Sequence, residues 1–506
     1  MASGAGTGNS AEGNEAFEAE DTAESVDTFI ALLVGAFNEL HTTVLQKIAT
    51  PHQNFMNHAD YPRRSFLQSG FPYFSETGYY EEHARKDYVG STRPMGILGM
   101  FVLARDKKKS PEMTRLIEFI DADELWSNFK TADTSAFEVE RIVGQAVESY
   151  FQRFGRGPLD KIKRTKVLAP IVRGAMVGHF GVRVVVPIAL THFDFDRFRL
   201  NETSYVARIP NGLQLSRARM DVRGSGAVRN VVGAATHAFV STGWTIDFDT
   251  NDSARQSMNN PSKNVLDEID LFFAALRAAT GVQTGYAQVL MVPQKVAFEL
   301  YCDLPPTFGA TYRRYPAYFD NYAWADDQHP WVSKDLIQDV KRLYNLSIAR
   351  PEQRVRIALK RLNACMTRDD AVDAILDAMI GLEVLLGDEE NQALSYKLRM
   401  RAGGLAALTG DRSATEVSSE VNRIYGIRSK IVHGLASKEK GKKVAIPEEE
   451  RYAAERNAAA AMLRYVLDVL LENPRYLDPK KIDRELLLGV APEVEPGAVE
   501  PDLFPS

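Results

Sequence analysis

Residues 424–434 read IYGIRSKIVHG, and the spacing of their apolar residues predicts the fold of the C-terminal part of the chain. Ile424, Ile427 and Ile431 recur at intervals of three and four residues, which places them on one face of a helix. Gly434 follows, and a glycine commonly stands where a helix ends. One apolar face predicts a helix that packs against others in a bundle.

Two polar residues of this stretch, Arg428 and His433, are predicted to lie off the apolar face. An arginine can hold a phosphate through several donors and keeps its charge, whereas a histidine can accept a proton near neutral pH. Their side chains lie ~140° apart on an ideal helix, too far apart to face one substrate comfortably. The spacing therefore favours a site completed by a second subunit. An ordinary helix end, where two cations complement the helix dipole, explains the same pair.

Residues 351–473 are predicted to be helical almost throughout. Short polar links divide them, as is typical of an antiparallel bundle. The expected helices are one ending near Met366, one over 369–386, one over 395–408, one ending at His433 and one beginning at Pro447.

The rest of the chain predicts a different architecture. Residues 1–25 are small, polar and acidic, which is typical of a disordered leader. Residues 26–345 predict an α+β region that is helical to about residue 160 and rich in strands over about 164–295. The tail at 489–506 is acidic and proline-rich, which predicts disorder. The fold class expected is α+β, an N-terminal helical and β-rich region followed by an all-α bundle.

Within residues 26–345, apolar periodicity and β-branched runs predict individual helices and strands. A helix is predicted from residue 26 to 50 and a second helical stretch over 111–154, with a break near 131–134. The runs VRVVVPIAL and YAQVLMVP predict strands, and Pro210 with the following Asn-Gly predicts a turn. Further helices are predicted over 262–279 and from about Ser333.

Composition limits the classes of function. At 506 residues the chain is long enough for several domains. A net charge of -6 gives no overall attraction to nucleic acid, so RNA contacts would depend on local basic patches. The two cysteines, Cys302 and Cys365, form neither a disulfide framework nor a zinc-ligand set, which favours a reducing cytoplasm. The longest apolar runs reach about half of the ~20 residues that a membrane helix needs. We therefore expect no membrane span, metal site or cofactor.

Three segments, in this order, resemble the Apea-like branch of the HEPN superfamily: GLEVLLG at 381–387, SYKLRMRAGGLAAL at 395–408 and IYGIRSKIVHG. The resemblance covers residues 351–473. It is weaker upstream, at HFDFDRFRL (192–200) and FFAALRAATG (272–281). It implies a bundle that dimerises so that the Arg-x4-His helices of two subunits meet and form a metal-independent endoribonuclease site.

The resemblance also implies roles for individual residues. Arg428 and His433 match the catalytic positions, and the expected products carry a 2′,3′-cyclic phosphate. Ser429, Glu383 and Tyr425 are candidates for supporting roles. Glu383 matches the acidic position of the second helix, and Ser429 stands where the wider superfamily often has Asn, Asp or His.

A group of lysines within and after the motif is expected to contact RNA phosphates. They are Lys430, Lys438, Lys440, Lys442 and Lys443. A solvated loop explains the same run without RNA.

These observations predict an endoribonuclease in antiphage defence or toxin-like RNA cleavage. Its N-terminal region would sense a phage-derived or other trigger, or restrain the nuclease. The alternative is a non-catalytic HEPN-type protein that uses the same bundle for interaction or nucleic-acid binding.

Overall fold

The described residues of the first part of the chain include four α-helices. The computed structural model describes residues 11–52, 54–76, 85–90, 110–129, 135–326, 329, 331–390, 392–432 and 448–491. The helices are α1 (Ala11–Ala49), α2 (Pro111–Ala122), α3 (Ala136–Phe154) and α4 (Lys161–Met176). The helices expected over 26–50 and 111–154 are confirmed, but residues 62–76, within the region expected to be helical to about residue 160, form a β-hairpin.

The start of α1 corrects one expectation. Residues 11–25, taken as part of a disordered leader, belong to the helix. This stretch is polar but rich in alanine and glutamate, which are strong helix formers. Because the apolar half of α1 is anchored by packing, elongation toward the N-terminus needs no new nucleus.

The apolar half of α1 is part of a core. Phe29, Leu33 and Phe37 are buried together with residues of α2 and α3. The segment Ala23–Ala49 is long and apolar enough to cross a membrane by length and composition. Its buried residues are explained by packing on the neighbouring helices.

An antiparallel sheet of six strands forms the middle of the molecule. Its strands are β3 (His179–Ala189), β5 (Arg197–Arg199), β6 (Ser204–Arg208), β7 (His237–Asp247), β8 (Gly285–Pro293) and β9 (Phe308–Arg314). Their order across the sheet is β5-β6-β7-β3-β8-β9. Two smaller pairings are the hairpin of β1 (Pro62–Phe66) and β2 (Pro72–Glu76), and the parallel contact of β4 (His192–Phe193) with β10 (Trp331–Val332).

Parts of the region expected to be β-rich are helical. Residues 164–176 belong to α4, although their apolar run resembles a strand; Asp160 caps this helix by accepting hydrogen bonds from the N–H groups of Ile162 and Lys163. Pro210 directly precedes a helix, α5 (Asn211–Ala218), as its N-cap residue, where a turn was expected. A proline suits a helix start because the first N–H groups need no partner within the helix. The short α6 (Arg229–Gly233) precedes β7.

Helices cover both faces of the sheet. Val182 and Val184 of β3 belong to the same core as α8 (Lys263–Thr280), as predicted over 262–279. Val185 packs with Leu213 of α5 on the other face. The remaining helices here are α7 (Asn251–Asn259) and α9 (Lys334–Ala349), the latter capped by Ser333 where a helix start was expected.

The predicted C-terminal helices are confirmed. They are α10 (Gln353–Thr367), α11 (Ala371–Leu386), α12 (Leu394–Thr409), α13 (Ala414–Val432) and α14 (Glu448–Glu472). After α14 the chain forms short helical turns, Pro474–Leu477 and Pro479–Lys481, and a π-helical turn, Ile482–Leu487, that packs on α12. The tail beyond residue 491 lies outside the described residues.

The sheet and these helices share one hydrophobic core. Residues of β3 and α8 belong to the same buried cluster as residues of α10 to α14. A polar link reinforces the junction: the buried Arg277 of α8 donates to the side chain of Asn363 of α10, and Asn363 donates to the carbonyl of Asp270 at 2.7 Å. The α+β region and the helices after residue 351 are therefore packed as one body.

Candidate functional site

Helix α13 carries the residues of the Arg-x4-His motif. Its start is fixed by a capping box, in which Ser413 accepts from the N–H of Glu416 at 3.2 Å and Glu416 accepts from the N–H of Ser413 at 3.0 Å. Gly403 of α12 allows close contact, because a Cβ there would lie 3.0 Å from the carbonyl oxygen of Ala414. Helices α12 and α13 thus pack closely at the beginning of α13.

Arg428 of α13 lies beside Glu383 of α11. Its Nη2 atom is 3.5 Å from Oε1 of Glu383, and the two side chains are 29% and 20% exposed. Arg428 was expected to lie off the apolar face, but it is half-buried. It lies one turn after the buried Ile424 and only ~40° from it around the helix, so it faces the bundle.

The contact between these two side chains is an ion pair and not a hydrogen bond. Oε1 of Glu383 is buried and has no hydrogen-bond partner among the described residues. Burial raises the pKa of Glu383, and the charge of Arg428 opposes that rise. Among the described residues, no side chain or carbonyl accepts a hydrogen bond from the Arg428 guanidinium. Arg428 is therefore held by charge while its N–H donors stay available to a ligand.

The other candidates on α13 surround Arg428. The Arg428 Cζ atom lies 5.8 Å from the centre of the Tyr425 ring, at the outer limit of a cation–π contact. Ser429 is half-buried and Lys430 is exposed. The remaining candidates, His433, Lys438, Lys440, Lys442 and Lys443, lie outside the described residues.

The second half of α13 exposes apolar surface. In the part that the structure describes, none of residues 425–432 is fully buried. Ile427 and Ile431 pack only partly on the core, and Val432 is 53% exposed. An incompletely covered apolar helix end beside Arg428 is a surface that a second protein chain could cover.

A second arginine of the bundle differs from Arg428 in every contact. Arg401 of α12 is only 2% exposed. It donates to Asp388 at 2.7 Å, to the carbonyl of Leu386 at 2.7 Å and to Asp483 at 2.6 and 2.8 Å. Nothing in the local sequence indicates this network, because Asp483 lies 82 residues further along the chain. Arg401 fixes the π-helical turn against the bundle.

One cluster in the N-terminal region has the residue types of a metal site. His58, Asp87 and Glu148 bring possible ligand atoms within 4.8 Å of one another. Glu148, however, is already engaged: it accepts from His58 at 3.1 Å and from the amide of Gln152 at 2.6 Å. Its other oxygen accepts from the backbone N–H groups of residues 88 and 89 at 3.0 and 2.9 Å.

Hydrogen bonding to protein donors therefore accounts for the burial of Glu148. Burial alone would lower the pKa of His58, but the hydrogen bond to Glu148 and the charges of Glu148 and Asp87 raise it overall. This arrangement is that of a buried ion pair, and a metal ion would have to displace existing bonds. Spacing in the sequence did not associate these three residues.

Comparisons with protein families, with curated proteins and with solved structures find no match for this chain. The candidate site therefore rests on its own residues and on the resemblance of the three C-terminal segments.

Proposed function

We propose that the protein is a homodimeric, metal-independent endoribonuclease of HEPN type whose catalytic residues are Arg428 and His433. The observation that supports it most is the state of Arg428. This arginine is half-buried beside Glu383, and its donors are not taken up by any acceptor among the described residues. A buried arginine with a structural role normally uses its donors on the protein, whereas one that binds a phosphate must keep some of them free.

In the proposed reaction His433 takes the proton from a ribose 2′-hydroxyl. The 2′-oxygen attacks the adjacent phosphorus, the bond to the 5′-oxygen breaks, and the proton held by His433 passes to the leaving oxygen. Arg428 stabilises the negative charge that develops on the phosphoryl oxygens. The products are a 2′,3′-cyclic phosphate and a 5′-hydroxyl.

Glu383 has a positioning role in this proposal. Its carboxylate attracts Arg428 at 3.5 Å without forming a close hydrogen-bonded fork. Such a contact orients the guanidinium yet can yield to phosphate, which offers shorter charge-assisted bonds. Tyr425 and Ser429 lie on either side of Arg428 along α13 and would border the bound phosphate.

The proposed dimer places the α13 helices of two subunits together. The partly covered apolar residues Ile427, Ile431 and Val432 supply a surface for this contact. In a two-fold interface each subunit contributes the same patch, so Arg428 and His433 of different subunits can form one site. Mixing Arg428→Ala protein with His433→Ala protein tests this, since mixed dimers would regain one intact site. Full activity of a dilute monomer would contradict the shared site.

The lysine group and the N-terminal region complete the proposal. Lys430, with the four lysines after the motif, would gather the RNA backbone and so affect binding more than chemistry. The α+β region would sense a trigger, phage-derived or other, or restrain the nuclease, in a cytoplasmic protein of antiphage defence or toxin type. Because this region shares a core with the bundle, a change there can be transmitted through packed side chains.

The decisive experiment compares wild type with His433→Ala on an RNA oligomer and on its 2′-deoxy counterpart, both with chelator. We expect wild type to cut only the RNA and the variant to lose ~100- to 10,000-fold in rate. Cutting of the deoxy oligomer, or a requirement for added metal, would show that the mechanism is wrong. An intact dimer that binds RNA but does not cut it would favour the non-catalytic alternative.

A further inference from the structure

A cavity of about 280 Å³ lies where the C-terminal end of α8 meets α10 and α14. Arg456 and Arg464 of α14 and Gly281, which follows α8, are among the lining residues. No carboxylate belongs to the described lining. Its position is notable because α8 packs on the sheet, whereas α10 and α14 belong to the C-terminal bundle.

The sequence of α14 explains how the cavity forms. Arg456, Ala460 and Arg464 are spaced four residues apart, so they lie along one side of the helix. The small Ala460 leaves room between the two long side chains. Gly281 has a left-handed backbone with φ of 69°, and a Cβ there would collide with the Arg464 guanidinium. Small residues on both sides thus produce a space bordered by two cations.

The two arginines are not equally engaged. Arg464 donates through Nε to the carbonyl of Ala278 at 2.9 Å and through Nη2 to that of Ala279 at 3.4 Å. These are last-turn carbonyls of α8, where a cation complements the helix dipole. Arg456 has a buried Nη2 atom without a hydrogen-bond partner among the described residues. A buried donor left unpaired is unfavourable, so the cavity contains an unsatisfied positive group.

Among the lining residues that the structure describes, none carries a negative charge that could pair with Arg456. Cys365 lines it, but burial raises the pKa of its thiol to about 12, so the thiol is neutral at physiological pH. Two carboxylates whose charges act on lining residues are paired with other arginines. Asp377, which acts on Cys365, pairs with Arg361 and Arg368, and Asp468, which acts on Arg464, pairs with Arg342.

We propose that this cavity binds a small phosphorylated molecule, with its phosphate on Arg456 and the rest of the ligand extending toward Arg464. Guanidinium groups bind phosphate through paired, charge-assisted hydrogen bonds and stay protonated. The volume lies below the usual range of ~300–1,000 Å³ for drug-sized ligands, which excludes a large occupant. Because the cavity joins α8 to the bundle, its occupant would contact both parts of the molecule.

The test measures binding by the full-length protein with inorganic phosphate as the probe. We expect a saturable rise in the unfolding midpoint beyond that caused by sodium chloride or sodium acetate at matched ionic strength. Arg456→Gln should raise the dissociation constant about 10-fold or more, because it removes a charge-assisted contact. Arg423→Gln is the matched control, since Arg423 pairs with Glu420 on α13 and is not a lining residue of the cavity, so this variant should leave binding unchanged.

A second variant separates binding from charge alone. Ala460→Leu fills the cavity without altering a charge and should also prevent the saturable shift. If Arg456→Gln and Ala460→Leu both bind phosphate as wild type does, or if chloride gives the same shift, the proposal is overturned. Loss of the phosphate shift on adding a saturating RNA tetranucleotide would likewise overturn it, because the cavity would then belong to an RNA path.

Discussion

Two arginine sites in the C-terminal bundle show how differently one residue type can be used. Around Arg401, two carboxylates and a carbonyl accept four hydrogen bonds from a side chain that is 2% exposed. Around Arg428, one carboxylate lies at 3.5 Å and the side chain is 29% exposed. The first arrangement uses four of the five guanidinium donors on protein acceptors in a buried place, whereas the second leaves donors for a ligand. We infer that the engagement of donors by the protein distinguishes a structural arginine from a candidate catalytic one.

The strongest test of this contrast is Arg428→Ala. We expect the cleavage rate to fall ~100- to 1,000-fold, as for loss of one donor to a developing oxyanion. Stability should change by less than ~1 kcal/mol, because a partly exposed ion pair contributes little. Arg428→Lys, which keeps the charge but loses the planar fork, should recover binding more than rate. Cleavage kinetics and thermal unfolding of the same preparations measure both quantities, and an unchanged rate in Arg428→Ala would remove Arg428 from the site.

Arg401→Ala should give the opposite result. Removing this buried cation takes the arginine partner from Asp483 and leaves Asp388 with Lys397 alone, which costs about 3 kcal/mol of unfolding free energy. Water still reaches Asp483, which is 41% exposed, and this moderates the loss. Cleavage per folded molecule should stay at the wild-type level. Urea unfolding measures the stability of Arg401→Ala, and a cleavage assay in native buffer measures its activity. A variant as stable as wild type would contradict the structural role of Arg401.

The sequence predicts the helices of the bundle but not the partners of its two arginines. The helices after residue 351 follow from local periodicity and were placed within a few residues. The pairing of Arg428 with Glu383 depends on how α13 packs on α11, and the pairing of Arg401 depends on a turn beyond α14; neither distance is encoded in local spacing. In α4 the apolar run resembled a strand, but N-terminal capping by Asp160 and packing of Leu168 favoured a helix. Tertiary contacts thus decided the elements and partners that periodicity left open.

Replacing a carboxylate by a neutral amide should have opposite effects on stability at the two arginine sites, at Asp388 beside Arg401 and at Glu383 beside Arg428. Hydrogen bonds from Lys397 and Arg401 lower the pKa of Asp388 to about 2. A lowered pKa means that ionised Asp388 stabilises the fold above its unfolded value near 4, and that this contribution is lost only as pH falls toward 2. Asp388→Asn should therefore lower the unfolding midpoint by a constant amount between about pH 7.5 and pH 4.5.

Glu383→Gln is the matched partner of that variant. Burial raises the pKa of Glu383, so its ionisation weakens the fold as pH rises through the raised value. The glutamine variant should be as stable as wild type or more stable at neutral pH, and the difference should vanish as pH falls and wild-type Glu383 takes up its proton. At the same time cleavage should decrease, because the charge that orients Arg428 is gone. If the glutamine variant is less stable than wild type at neutral pH, the ionised Glu383 stabilises the fold as Asp388 does, and the contrast between the two carboxylates is wrong.

The smallest expected effect extends the contrast to the N-terminal region. There the carboxylate of Glu148 accepts four hydrogen bonds, whereas Oε1 of Glu383 in the bundle accepts none among the described residues. Although burial opposes it, the bond to Glu148 and the nearby charges raise the pKa of His58. A raised histidine pKa gives stability that is complete below the unfolded value near 6.5 and is lost as pH rises through the folded value. The unfolding midpoint of wild type should thus fall as pH rises above about 6.5. His58→Gln should lack this loss, while His179→Gln, which alters an exposed histidine at the start of β3, should retain it. If His58→Gln shows the same fall in midpoint as wild type and His179→Gln, the pair of His58 and Glu148 does not cause the pH dependence. The contrast between engaged and unengaged side chains would then not extend to the N-terminal region.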